Sequence, residues 1–267
     1  MMSVERRASR PCAAVVVLFT GFLVAGAGCA HYAPPGRGAN MAALGVTPAA
    51  QQALADPSIR QAFDKKPLAS FPTGVAVARV QEPGYRSETA ESWGTGAYSI
   101  VTTRDVETDE QGARLAKLPL VHGIAPINRL VMPTADLKSD AELRAAAAAL
   151  HADVLLIYTL DTIFYVDNPS VPLSVLTLGL FPRKARVVTT ASAVLMDTRN
   201  GYIYGVAEAT DRDDSLTTGW TSDHAVDATR RDTETRAFEK LVGELEKTWT
   251  MVLKTHAPQR GVYSTPG

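Results

Sequence analysis

The sequence predicts an α/β sandwich: a mixed sheet with a long central strand and a C-terminal hairpin, packed by a middle helix and a long C-terminal helix. Three observations predict it. Residues 152–166 form one β-prone run whose first half is apolar on both faces, as a buried central strand requires. Residues 186–197 and 202–209 flank Arg199-Asn200-Gly201, and Asn-Gly accepts the positive φ of a hairpin turn. Phe238, Leu241, Val242, Leu245, Trp249, Val252 and Leu253 recur at spacings of three and four, one apolar stripe on a helix whose other side carries Glu239, Lys240, Glu244, Glu246 and Lys247.

The chain has 267 residues, and its start reads as an export signal. Arg6, Arg7 and Arg10 are basic, residues 13–27 are almost wholly apolar, and Gly26-Ala27-Gly28 leads to Cys29. That run of about 15 residues is short for crossing a bilayer, which takes about 20. Residues 23–29 resemble a lipobox, where bacterial lipoprotein signal peptides are lipidated and cut, although Gly26 stands where that family usually has leucine. The resemblance implies cleavage before Cys29, lipidation of its thiol, and, with Ala30 following, sorting to the outer membrane with the domain facing the periplasm. An ordinary secretory leader with an incidental cysteine is the alternative. Cysteine usage weighs against it: Cys12 lies in the leader, so the mature chain keeps Cys29 alone.

Residues 29–56 are rich in Pro, Gly and Ala and read as a flexible tether. Thr47-Pro48 and Asp56-Pro57 are helix-start signals, the second for a short helix over roughly 57–65. The α/β domain spans 57–255, and 256–267 reads as a disordered tail. Within the domain, residues 74–80 are a β-branched run bounded by Pro72 and by Pro83-Gly84, hence a strand. Residues 83–97 read as a loop, 99–103 as a short strand, 108–118 as a helix, and 128–132 as a strand stopped by Pro133. Ser139 and Glu142 have capping-box spacing before the alanine-rich helix 143–150. Residues 211–215, Asp-Arg-Asp-Asp-Ser, read as a polar loop, and Ser222 or Asp223 can cap the last helix.

Composition bounds function. Hydrophobic residues make up 46% and charged residues 21%, a balance that supports a folded core. Net charge is −1, or −3 once the leader's Glu5, Arg6, Arg7 and Arg10 are removed, so electrostatic capture of nucleic acid is not expected. The histidines His31, His122, His151, His224 and His256 are scattered, with no i,i+4 pair for a metal. Ser222-Asp223-His224 holds triad residue types, yet triad members meet in space rather than in sequence, and capping explains the run better. Asp211, Asp213 and Asp214 lack the glycine and distal glutamate of a calcium loop. The glycines of Trp93-Gly94-Thr95-Gly96 do not lead into a helix start. No catalytic site, cofactor or metal is expected.

His151-Ala152-Asp153-Val154-Leu155-Leu156 after a helix resembles a GADxLL element, and residues 193–204 resemble an LxDxxTGxV hairpin. Both belong to a periplasmic lipoprotein group that includes the curli secretion channel lipoprotein, the lipoprotein activators of penicillin-binding proteins and the TolB amino-terminal domain. The resemblance covers about residues 70–255 and implies a TolB amino-terminal-like sandwich that binds another envelope protein and is not an enzyme. The curli channel inserts two amphipathic hairpins into this fold. Here residues 167–184 hold one short apolar run, Val171, Leu173, Val175, Leu176, Leu178, Leu180 and Phe181, bracketed by prolines and followed by Arg183, Lys184 and Arg186. A barrel hairpin needs two strands of about 9–11 alternating residues, so a pore is not expected. The run either packs under the sheet or contacts a partner or membrane, with the basic residues near lipid phosphates.

Three function classes follow. A lipid-anchored binding or assembly module predicts a free apolar surface near 168–184 and no concave polar pocket. A pore-forming secretion lipoprotein predicts rings of further copies of this chain. A small envelope hydrolase predicts His224 or His122 within reach of a Ser and an Asp in a cleft.

Overall fold

The computed structural model describes residues 38, 40, 56–166, 183–218 and 223–257, all within the unit 34–267. The elements in order are α1 (Asp56–Asp64), β1 (Thr73–Gln81), β2 (Ser92–Trp93), β3 (Thr95–Gly96), β4 (Ser99–Val101), α2 (Asp109–Ala116), β5 (Val121–Pro126), β6 (Asp136–Leu137), α3 (Asp140–Ala149), β7 (Val154–Val166), β8 (Arg183–Asp197), β9 (Ile203–Thr218) and α4 (Asp223–His256). The fold class is as expected: a mixed seven-stranded sheet in the order β2-β4-β1-β7-β8-β9, with β5 also paired to β1.

Alternation along β7 divides the core into two layers. Val154, Leu156, Tyr158 and Leu160 face α4, meeting Phe238, Leu241, Leu245 and Trp249. Leu155 and Ile157 face α3, meeting Leu143, Ala146 and Ala147. Each fully buried side chain of this size is stabilised by about 1.5–3 kcal/mol, so the continuous apolar run is what lets β7 sit between two layers.

Local chemistry sets the helix ends. The Thr108 hydroxyl accepts from the Gln111 amide, and Gln111 Oε1 accepts from the Thr108 amide. The Ser139–Glu142 box starts α3 as expected. At its end, the His151 amide donates to Ala148 and the Ala152 amide to Ala147, a Schellman closure that puts His151 at φ 55°.

The hairpin turn is wider than Asn-Gly suggests. The Asp197 amide donates to the Tyr202 carbonyl across residues 198–201, and of the turn only Gly201 has positive φ (71°). Asp197 is fully buried. Its Oδ2 accepts from the Leu68 amide and the Tyr204 hydroxyl, both at 2.7 Å, and its Oδ1 accepts from the Arg199 amide. With Asn200 Nδ2 donating to the Lys66 carbonyl and the Ala69 amide to Tyr204, it staples residues 66–69 to the hairpin.

Three local expectations fail; first, residues 83–97, read as a loop, hold the short strands β2 and β3. Residues 128–132 are a turn, because Asn128 Oδ1 accepts from the Leu130 amide and the Asn128 carbonyl from Val131. The strand lies earlier, at β5, where His122, Gly123 and Pro126 hide it. The acidic residues 211–215 continue β9 instead of forming a loop, since Arg236 and Lys240 of α4 pair with Asp211 and Asp213, and Arg186 of β8 pairs with Asp214. Gly38, within the expected tether, bridges Gln81. The helix start at Thr47, the leader and residues 258–267 lie outside the described residues.

Candidate functional site

The most distinctive site lies where two strands share one edge of β1. Parallel β5 holds residues 73–77, ending at Val77↔Pro126. Antiparallel β4 takes over at Arg79↔Val101. The two partners diverge between these registers, and a cleft of about 100 Å³ opens there. Val77, Val101, Ile124, Leu115 and Phe238 line it with apolar surface; Thr102, Thr103, Arg104, Thr108 and Gly112 line it too. Arg79, Glu107 and Tyr158 supply its buried polar groups.

Those groups belong to a buried ion network. Arg79 Nη1 donates to Asp105 at 2.7 Å and to Glu107 at 3.4 Å; its Nη2 donates to the Tyr85 hydroxyl at 3.2 Å and lies 3.6 Å from Glu234. Arg230 of α4 donates to Glu234 at 2.5 Å, to Asp227 at 3.0 Å and to Tyr85 at 3.0 Å. Tyr158 donates to Glu107 at 2.6 Å, and Thr162 to Glu234 at 2.8 Å. The side chains of Arg79, Asp105, Arg230 and Glu234 are at most 2% exposed.

Burial and charge compete throughout. Burial alone would lower the Arg79 guanidinium, but the surrounding acids, Glu107 foremost, hold it above its ordinary value. Burial raises the Glu234 carboxyl against the pull of Arg230 and Arg79. Burial, reinforced by Glu234, pushes the Tyr85 phenol up to about 12. Two polar atoms of the cleft residues, Arg79 Nε and Glu107 Oε2, are buried with no hydrogen-bond partner among the described residues.

Sequence reasoning missed this site. It left two local signals: Arg79, a lone cation inside an apolar strand, and Arg230 with Glu234 at helical i,i+4 spacing. The expectation of no concave polar pocket does not hold.

Several sequence-predicted residues lie outside the described ones: Cys29, Val171, Leu173, Val175, Leu176, Leu178, Leu180, Phe181, His31, and the side chains of Arg183, Lys184, Ser222, Asp223 and His224. The backbones of Arg183 and Lys184 pair with Thr218 and Thr217. Arg186, expected near lipid phosphate, is matched by Asp214 at 2.6 Å. Asp211 and Asp213 bind α4 cations. Partial burial would raise the Asp211 carboxyl, yet hydrogen bonds from Lys240 and Arg236 outweigh it and hold it below its ordinary value. His151 closes α3, and His256 meets Tyr202 and Tyr204 edge to face. His122 has no serine or aspartate partner among the described residues. Gly94 and Gly96 both have positive φ, letting β3 pair with β6. Among the described residues no cluster of three or more His, Cys, Asp or Glu could hold a metal, and no helix is long and apolar enough to cross a membrane.

No family model matches the sequence, and no curated protein matches it. Two solved structures are similar in outline. A neuraminyllactose-binding hemagglutinin homolog from Helicobacter pylori shares 11% identity over 72% of this chain and 96% of its own, with a TM-score of 0.34. A hypothetical protein from Chlamydia trachomatis shares 12% identity over 69% and 99%, with a TM-score of 0.28.

Proposed function

We propose that this chain is a lipid-anchored binding module of the bacterial cell envelope, held at Cys29 on the periplasmic face of the outer membrane and acting through protein–protein contacts rather than catalysis. The size of the cleft carries the reading. At about 100 Å³ it is smaller than the roughly 300–1,000 Å³ of small-molecule sites and suits one anchoring side chain of a protein partner. The leader ending at Cys29 supports the anchor, and the apolar run from Val171 to Phe181 offers a second contact surface.

Two measurements test this. Cells fed radioactive palmitate should label the wild-type chain and not Cys29→Ser. A photo-reactive residue at Leu176 should capture one discrete envelope protein. Capture of lipid or of further copies of the chain would overturn the reading in favour of a membrane-inserting or pore-forming protein.

A further inference from the structure

Helix α1 carries an apolar face that the domain does not cover. Ile59 and Phe63 stand four residues apart with Ala62 beside them, so the three share one side of the helix. Phe63 is 84% exposed and Ile59 36%, and Leu68 just beyond is 50% exposed. Gln61 falls on the opposite side. Single exposed apolar residues are ordinary, whereas a row on one helix face marks a contact surface.

Charge and position say what that surface meets. Arg60, Lys65 and Lys66 are exposed around the apolar face, with Asp64 as the only carboxylate over residues 57–66. None of the three cations forms an ion pair among the described residues. Arg199, half exposed, joins them by donating to the Leu68 carbonyl. An apolar stripe bordered by cations matches a layer with phosphate outside and acyl chains beneath. At nine residues α1 is about 14 Å long, so it suits lying in such a layer and not crossing it. Cys29 stands 27 residues before Asp56, at most about 90 Å of extended chain, so lipid at Cys29 keeps α1 within reach of a bilayer. The Lys66 carbonyl and Leu68 amide are fastened to the β8–β9 turn, which ties the end of α1 to that end of the sandwich.

We propose that α1 lies flat on an anionic phospholipid bilayer, with Ile59 and Phe63 among the acyl chains, Arg60, Lys65 and Lys66 at the phosphates, and the β8–β9 turn toward the membrane. This deepens the envelope-module reading and rests on it only for the source of the bilayer.

The test is photo-crosslinking of the full Cys29→Ser chain on vesicles of phosphatidylethanolamine and phosphatidylglycerol, with a photo-reactive side chain in place of Phe63 or of Gln61. Lipid adducts at Phe63 should exceed those at Gln61 about tenfold, since an interfacial helix buries one face only. Lys65→Gln with Lys66→Gln, or vesicles of phosphatidylcholine alone, should lower the yield at Phe63 about tenfold. The substituted side chains are all exposed, so every variant should keep its circular dichroism spectrum. Equal lipid adducts at Phe63 and Gln61, none at either, or equal yields on anionic and neutral vesicles overturns the proposal. So does capture of a protein instead of lipid at Phe63 in cells. The measured chain has no thiol at position 29, so the outcome is independent of palmitate labelling. Labelled Cys29 without adducts at Phe63 removes this proposal alone, and unlabelled Cys29 with adducts confined to Phe63 removes the anchor alone.

Discussion

Replacing Arg79 by methionine tests how the domain tolerates its buried charges. The substitution keeps much of the apolar stem and removes the guanidinium that touches Asp105, Glu107, Tyr85 and Glu234 within 3.6 Å. Arg230 is then left, with half-buried Arg231 at the edge, against Asp105, Glu107, Asp227 and Glu234. Removing one partner of a buried ion pair costs about 3–5 kcal/mol, a large share of the roughly 5–15 kcal/mol that keeps a domain folded. At a urea slope of about 2 kcal/mol per molar, the unfolding midpoint followed by circular dichroism should fall by about 1.5–2.5 M. Adding Asp105→Asn should recover part of the loss, because it removes a carboxylate left without its closest cation. A single-variant loss under about 1 kcal/mol, the scale of exposed pairs, would refute the reasoning and mean that the network behaves as if hydrated.

Two further outcomes are expected. His151→Gly should stabilise the domain by about 0.5–1 kcal/mol, since the left-handed conformation costs an L-residue about 1–2 kcal/mol and glycine returns about half of that through chain entropy; a thermal melt shifted downward would contradict the Schellman assignment. Stability should fall as pH rises from the ordinary tyrosine value of 10.0 to about 12, because a phenol protonated more tightly in the folded state stabilises it fully below the unfolded value and loses that contribution through the folded one. Tyr85→Phe should flatten that part of the alkaline unfolding curve, and an unchanged curve would exclude Tyr85 as its source.

The elements with strong periodicity were readable from the sequence. The run at β7, the hairpin and the α4 stripe each obey one dominant rule, and burial reinforces it. The strand at β5 was not readable, because pairing with β1 supplies what Gly123 and Pro126 subtract locally. Residues 128–132 misled for the opposite reason: one Asn128 side chain outcompetes a β-prone run. The acidic end of β9 needed partners on α4 about 25 residues away, which no local window contains. The cleft was the least legible part. Arg79 stood out, but its partners Asp105, Glu107 and Glu234 are brought to it only by the fold, and a cavity left by two strands parting has no sequence signature.

The stapling of residues 66–69 to the β8–β9 turn has a mechanical meaning. The chain arriving from the N-terminal side is fastened twice around β1: Gly38 bridges Gln81 at one end, and the 66–69 segment is pinned to Asp197, Asn200 and Tyr204 just before Thr73 at the other. Tension drawn along that chain meets the Gly38–Gln81 bridge first and the turn next, before it reaches Thr73 at the start of β1. Asp197 acts as a cleat: the rope can be pulled while the sheet beside the cleft holds its shape.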